Sequence, residues 1–186
     1  MLNNLPVTEA TIANISEVKH LRHLQLYACE VNLANLARQP FLNQLKSLTL
    51  GKVKNVKYII HAVSKSANLN HLQLLDTEVD YDSLRELQHL PALSVRDHAV
   101  DDKFIQTVTE LSQLKRIGVL GKLGPEQLKT LIACPHLIRI ELAEEYYSPD
   151  LQQRLKRSSE KVVFVRSTHS DVTGGGDIFE IIGRTH

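Results

Sequence analysis

The chain has 186 residues, 42% of them apolar, and its 22 basic and 21 acidic side chains leave a formal charge of +1. That length fits one domain with a continuous core, and the charge balance makes no electrostatic case for nucleic acid or an anionic membrane surface. No apolar run approaches the ~20 residues a spanning helix needs, and Met1–Val7 lacks the charged region and long apolar stretch of a secretory signal.

Taken in chain order, one pattern keeps returning: three apolar residues at positions i, i+3 and i+5. A weak copy, Leu2/Leu5/Val7, is followed by Leu21/Leu24/Leu26, Leu45/Leu48/Leu50, Leu69/Leu72/Leu74, Leu90/Leu93/Val95, Leu114/Ile117/Val119 and Leu137/Ile140/Leu142. A last weak copy has Glu160 in the first place, then Val163 and Val165. The clear copies start at 21, 45, 69, 90, 114 and 137, so the steps are 24, 24, 21, 24 and 23 residues. Self-similarity at a near-fixed period implies stacked copies of one unit. The alternating part of each copy predicts a short strand with apolar side chains on one side and polar ones on the other.

The segments between the strands are predicted to be helical. Leu33/Leu36/Ala37, Val56/Ile59/Ile60/Val63, Leu84/Leu87, Phe104/Ile105/Val108/Leu111, Leu128/Leu131/Ile132 and Leu151/Leu155 each form one apolar face at spacings of three and four. Gly124-Pro125-Glu126 and Ser148-Pro149-Asp150 read as helix starts, with Pro at the first helical position and an acid in the first turn. After Ser167 the chain becomes rich in Gly, with Gly174–Gly176 leading to the apolar segment Ile178–Gly183. Three roles are open to that segment: a cap or edge strand folded back on the repeats, a partner-binding segment, or the start of something longer. At the other end, either Leu2–Val7 caps the first unit or the chain is a piece of a longer one.

The pattern Leu-x-x-Leu-x-Leu at this period resembles the leucine-rich-repeat family, over about nine-tenths of the chain. The resemblance implies an α/β fold, a leucine-rich-repeat solenoid. This is a right-handed β/α superhelix of about eight coils with a parallel concave sheet, spanning residues 1–168 and followed by a Gly-rich tail at 169–186. The convex helices are similar to those of ribonuclease-inhibitor-like and bacterial repeats. The family's next framework position, Asn or Cys, is held here by Cys29, Val53, Thr77, His98, Lys122, Glu145 and Thr168. Only Cys29 and the two threonines suit a buried ladder, so irregular turns are expected.

Sites for chemistry are sparse. His20 and His23 lie three residues apart, and His71 holds the repeat position of His23; two strands separate those coils, roughly 10 Å, too far for shared ligation of one ion. Ser94, His71 and Asp76, or Cys29 with His23, lack the strained elbow and Gly-rich oxyanion loop of a nucleophilic site. Gly174–Gly176 lacks the Lys-Ser/Thr and helix of a phosphate loop. Cys29 and Cys134 fall about four coils apart, on the order of 20 Å. That exceeds the ~7 Å limit for a disulfide, so a cytoplasmic protein is expected, or else a fragment or delivered protein that folds without disulfides.

The function expected is therefore non-catalytic protein–protein interaction, without cofactor or metal, by a monomer that uses neither nucleic acid nor membrane. The resemblance implies an adaptor, inhibitor or bacterial-effector role, with the partner on the concave sheet face. The alternative is a substrate-docking or regulatory segment of a larger enzyme such as a ubiquitin ligase. Residues expected on the concave face are His23, Gln25, Tyr27, Thr49, His71, Gln73, Arg96, Arg116, Arg139, Glu141 and Phe164. Arg96, Arg116, Arg139 and Arg166 would form a basic run across neighbouring coils, suited to carboxylates.

Overall fold

A computed structural model describes residues 2–4, 6–96 and 100–165 of the chain. The elements in order are β1 (Leu2–Asn3), β2 (Pro6–Val7), α1 (Glu9–Ser16), β3 (His23–Tyr27), β4 (Glu30–Val31), α2 (Leu33–Leu36), a 3-10 turn (Pro40–Gln44) and β5 (Ser47–Gly51). Then come α3 (Lys57–Val63), β6 (His71–Leu75), α4 (Tyr81–Leu84), β7 (Ala92–Arg96), α5 (Asp102–Glu110), β8 (Arg116–Val119), α6 (Pro125–Ala133) and β9 (Arg139–Ala143). A 3-10 turn (Glu144–Tyr146), α7 (Pro149–Ser158) and β10 (Val162–Val165) complete the described chain.

Eight strands form one sheet in the order β1-β3-β5-β6-β7-β8-β9-β10, and every neighbouring pair is parallel. Parallel strands need a crossover between them, and here each principal crossover is a return segment. Register follows the repeat: Leu24, Leu48, Leu72, Leu93, Ile117 and Ile140 stand side by side, as do Leu26, Leu50, Leu74, Val95, Val119 and Leu142. All are buried and belong to one core cluster with Ile59, Ile60, Val63, Phe104, Val108 and Leu131 from the helices. The helices therefore back the leucine side of the sheet and leave the other side open. The two predicted helix starts are present, with Gly124 and Ser148 as N-caps and Pro at the first position.

The first four units share a backbone device. Asn4, Ala28, Lys52 and Asp76 each follow a strand, and each has a positive φ of about 50°. Each donates its amide to the last residue of the next strand over: Asn4 to Tyr27 O, Ala28 to Gly51 O, Lys52 to Leu75 O and Asp76 to Arg96 O. The left-handed turn costs an L-residue roughly 1–2 kcal/mol, and its repetition at this interval shows that the ladder bond offsets it. The following position behaves as its residue types dictate. Thr77 Oγ1 donates to Leu75 O at 2.9 Å and Cys29 Sγ lies 3.4 Å from Tyr27 O, whereas Val53 is buried with nothing to donate. Lys122 and Glu145 are exposed, and His98 and Thr168 lie outside the described residues. Cys29 and Cys134 are free and buried.

Two features depart from the sequence reading. Helix α1, capped by the Thr8 side chain, and the short parallel pair β2–β4 were not foreseen. Only Ile12 of α1 is fully buried, so its periodicity is weak. The last strand is the larger correction. Val162 pairs with Ile140 and Phe164 with Leu142, one residue off the expected alignment of Val163 and Val165 with the apolar positions. A one-residue slip reverses every side chain. Phe164 thus packs towards the core, edge-on to Tyr147 at 5.6 Å between centroids, rather than on the open face. The tail at 169–186 lies outside the described residues. Among those described, no helix is long and apolar enough to cross a membrane.

Candidate functional site

The open face of the sheet is a grid with two long rows. His23, Ser47, His71, Ala92, Arg116 and Arg139 make the first; Gln25, Thr49, Gln73, Ser94, Gly118 and Glu141 make the second. A third, shorter row is Tyr27, Gly51, Leu75 and Arg96. Ten of the eleven residues expected on this face are therefore on it. Phe164 is the exception, and Arg166 lies outside the described residues.

Much of the grid is consumed by lateral contact. Thr49 Oγ1 donates to Gln73 Oε1 at 3.1 Å, and both residues are buried. Tyr27 lies across Gly51 so closely that a Cβ there would stand 2.2 Å from Tyr27 Cδ2. The Lys52 ammonium sits 5.5 Å from the Tyr27 ring centre, and the Tyr27 hydroxyl donates to Asp76 Oδ2 at 3.5 Å. Asp76 in turn receives Arg96 in a two-pronged contact, Nε to Oδ1 at 3.2 Å and Nη2 to Oδ2 at 3.0 Å. The left-handed turn at Asp76 thus aims its carboxylate back over the third row, a placement the linear pattern does not signal.

The C-terminal half is more polar. His71 Nε2 and Ser94 Oγ share a hydrogen bond of 3.0 Å. Burial first, and then the Arg116 charge, push the His71 pKa down to about 4, so the ring is neutral at pH 7. Arg139 Nε donates to Glu141 Oε1 at 2.6 Å. Arg116 is half-buried between these groups and has no ion-pair partner among the described residues. A small hollow of about 10 Å³ lies among His71, Ser94, Arg116, Gly118 and Glu141, about the volume of one water probe.

The expected basic run is corrected by these contacts. Arg96 is paired with Asp76 and Arg139 with Glu141, leaving Arg116 as the arginine of the three without a carboxylate partner among the described residues. The Ser94–His71–Asp76 set is brought together only in part. Serine and histidine touch, but Asp76 engages Arg96 and Tyr27, and a ring of pKa about 4 is a weak base at neutral pH. His23 and His71 stand on β3 and β6 with β5 between them. Among the described residues, no group of three or more His, Cys, Asp or Glu side chains is placed to hold a metal ion. No protein-family model matches the chain, and no curated protein matches it either.

Proposed function

We propose that the chain is a leucine-rich-repeat solenoid that binds a partner protein on its open, concave face, without catalysis of its own. The repeat period, the in-order parallel strands and the in-register apolar columns support the architecture. The binding reading rests chiefly on Arg116, a half-buried cation between a neutral histidine and an Arg139–Glu141 pair, with no carboxylate partner among the described residues. A guanidinium already partly stripped of water, and held by packing, gives a strong two-pronged bond to an arriving carboxylate. Around it, the paired groups act as a rigid frame, so little side-chain entropy is lost on docking.

The partner then presents a carboxylate at its centre, with polar groups reaching His23 and Gln25 towards one end of the face. Affinity purification from cell extract tests this, comparing the native chain with Arg116→Glu and with Lys129→Glu on the far side. A specific partner should be retained by the native chain and by Lys129→Glu, and weakened at least about tenfold by Arg116→Glu at unchanged Tm. The same partner held equally by all three proteins would remove the concave face from the reading.

A further inference from the structure

Residues 31–75 contain Arg38, Lys46, Lys52, Lys54, Lys57 and Lys65 and neither Asp nor Glu, although the whole chain is almost neutral. The return segments of this stretch border a groove of about 770 Å³ on the helical side, which runs from α2 and its following 3-10 turn over α3 to Ser83 and Glu86 of the next return segment. Its lining is aliphatic at Ala34, Ala37, Leu42 and Ala62, and Tyr58 beside them is 45% exposed, unusual for a large apolar side chain in this molecule.

Three cations rim the groove: Arg38, Lys57 and Lys65. The carboxylate that lines it, Glu86, is bonded to His61 Nδ1 at 2.7 Å, and Lys65 Nζ donates to the other ring nitrogen at 3.4 Å. Arg38 and Lys57 have no ion-pair partner among the described residues, and the Lys57 ammonium stands 5.5 Å from the Tyr58 ring centre. Asp80 lies within electrostatic reach of Lys57, so the three cations outnumber the nearby carboxylates rather than stand alone. An apolar floor under this excess of positive charge fits a chain that alternates aliphatic and acidic side chains. A nucleic-acid strand fits it poorly, because bases need planar stacking partners, and this groove offers one aromatic ring over an aliphatic floor.

We propose that the groove across α2 and α3 docks an acidic linear segment of a partner protein, its aliphatic side chains on the Ala/Leu floor and its carboxylates on Arg38, Lys57 and Lys65. This surface is separate from the concave face and does not depend on it. Fluorescence anisotropy with a labelled peptide of repeated Glu-Glu-Leu, against a Ser-Ser-Leu peptide and a labelled single-stranded oligonucleotide, tests the assignment on the full chain. The Glu-Glu-Leu peptide should bind, weaken with added salt, and lose at least about tenfold in affinity in the Arg38→Glu/Lys57→Glu double variant. That variant should instead bind a Lys-Lys-Leu peptide, which shows that it is folded and that the groove is the site. Arg116→Glu should leave Glu-Glu-Leu binding unchanged, which separates this groove from the concave face. Equal binding of Glu-Glu-Leu and Ser-Ser-Leu, no effect of the double variant, or tighter binding of the oligonucleotide would overturn the proposal.

Discussion

His71 shows how one residue can carry a solution signature of the open face. Its pKa of about 4, set by burial and by Arg116, lies below the ~6.5 of a free imidazole. Between those values the unfolded chain holds the proton and the folded chain does not. Stability is therefore full above pH 6.5 and is lost as the pH falls towards 4. Comparing urea unfolding of the native chain and His71→Asn across this window should show a loss of about 1–3 kcal/mol specific to the native chain. Arg116→Gln should raise the His71 pKa, read by NMR titration of the ring; an unchanged value would mean that Arg116 lies farther off. Gly51 tests the other half of the face. A methyl group there meets the Tyr27 ring, so Gly51→Ala should cost about 1–3 kcal/mol by overpacking. The same change in a Tyr27→Ala background should cost much less, since the ring it strikes has gone.

At the scale of elements, β10 decides between two registers. Phe164 is half-buried against Tyr147, and Val162 is buried, whereas Val163 and Val165 share the open side with Glu141 and Ala143. Phe164→Ala should therefore destabilise by about 1–3 kcal/mol and Val163→Ala by less than about 1 kcal/mol; thermal melts showing the reverse order would restore the sequence-derived register. The strand defeated sequence reading because Val162, Val163, Phe164 and Val165 are all apolar, so either alternation fits. The turns give a second test. Ala28 has a φ of 49°, a region that costs an alanine more than a glycine. Ala28→Gly should be neutral or stabilising by up to about 1 kcal/mol, against the usual penalty for a new glycine; a clear loss of stability would mean that the turn is not strained.

Across the whole molecule, the visible and the hidden parts of the sequence divide by physical cause. Leu24, Leu48, Leu72, Leu93, Ile117 and Ile140 announce the sheet because burial against one core restricts each position to an aliphatic side chain, unit after unit. The outward positions face weaker constraints, so their identities say which face they occupy and little about their neighbours. Tyr27, Asp76 and Arg96 meet only because a left-handed turn folds Asp76 back, and Glu141 cancels Arg139 within its own strand. The groove beside Tyr58 is hidden for a related reason: Arg38 and Lys57 are 19 positions apart and come to line one groove only when their return segments pack side by side.

If successive apolar triplets stand side by side as parallel rungs in chain order, inter-strand nuclear Overhauser contacts in the isotope-labelled chain will report it. Backbone amide-to-Hα contacts should link the segments around Leu24, Leu48, Leu72, Leu93, Ile117 and Ile140 in a single series, each to the next. Close Hα–Hα contacts between those strands, the mark of antiparallel pairing, or helical contacts within the triplets themselves, would contradict it.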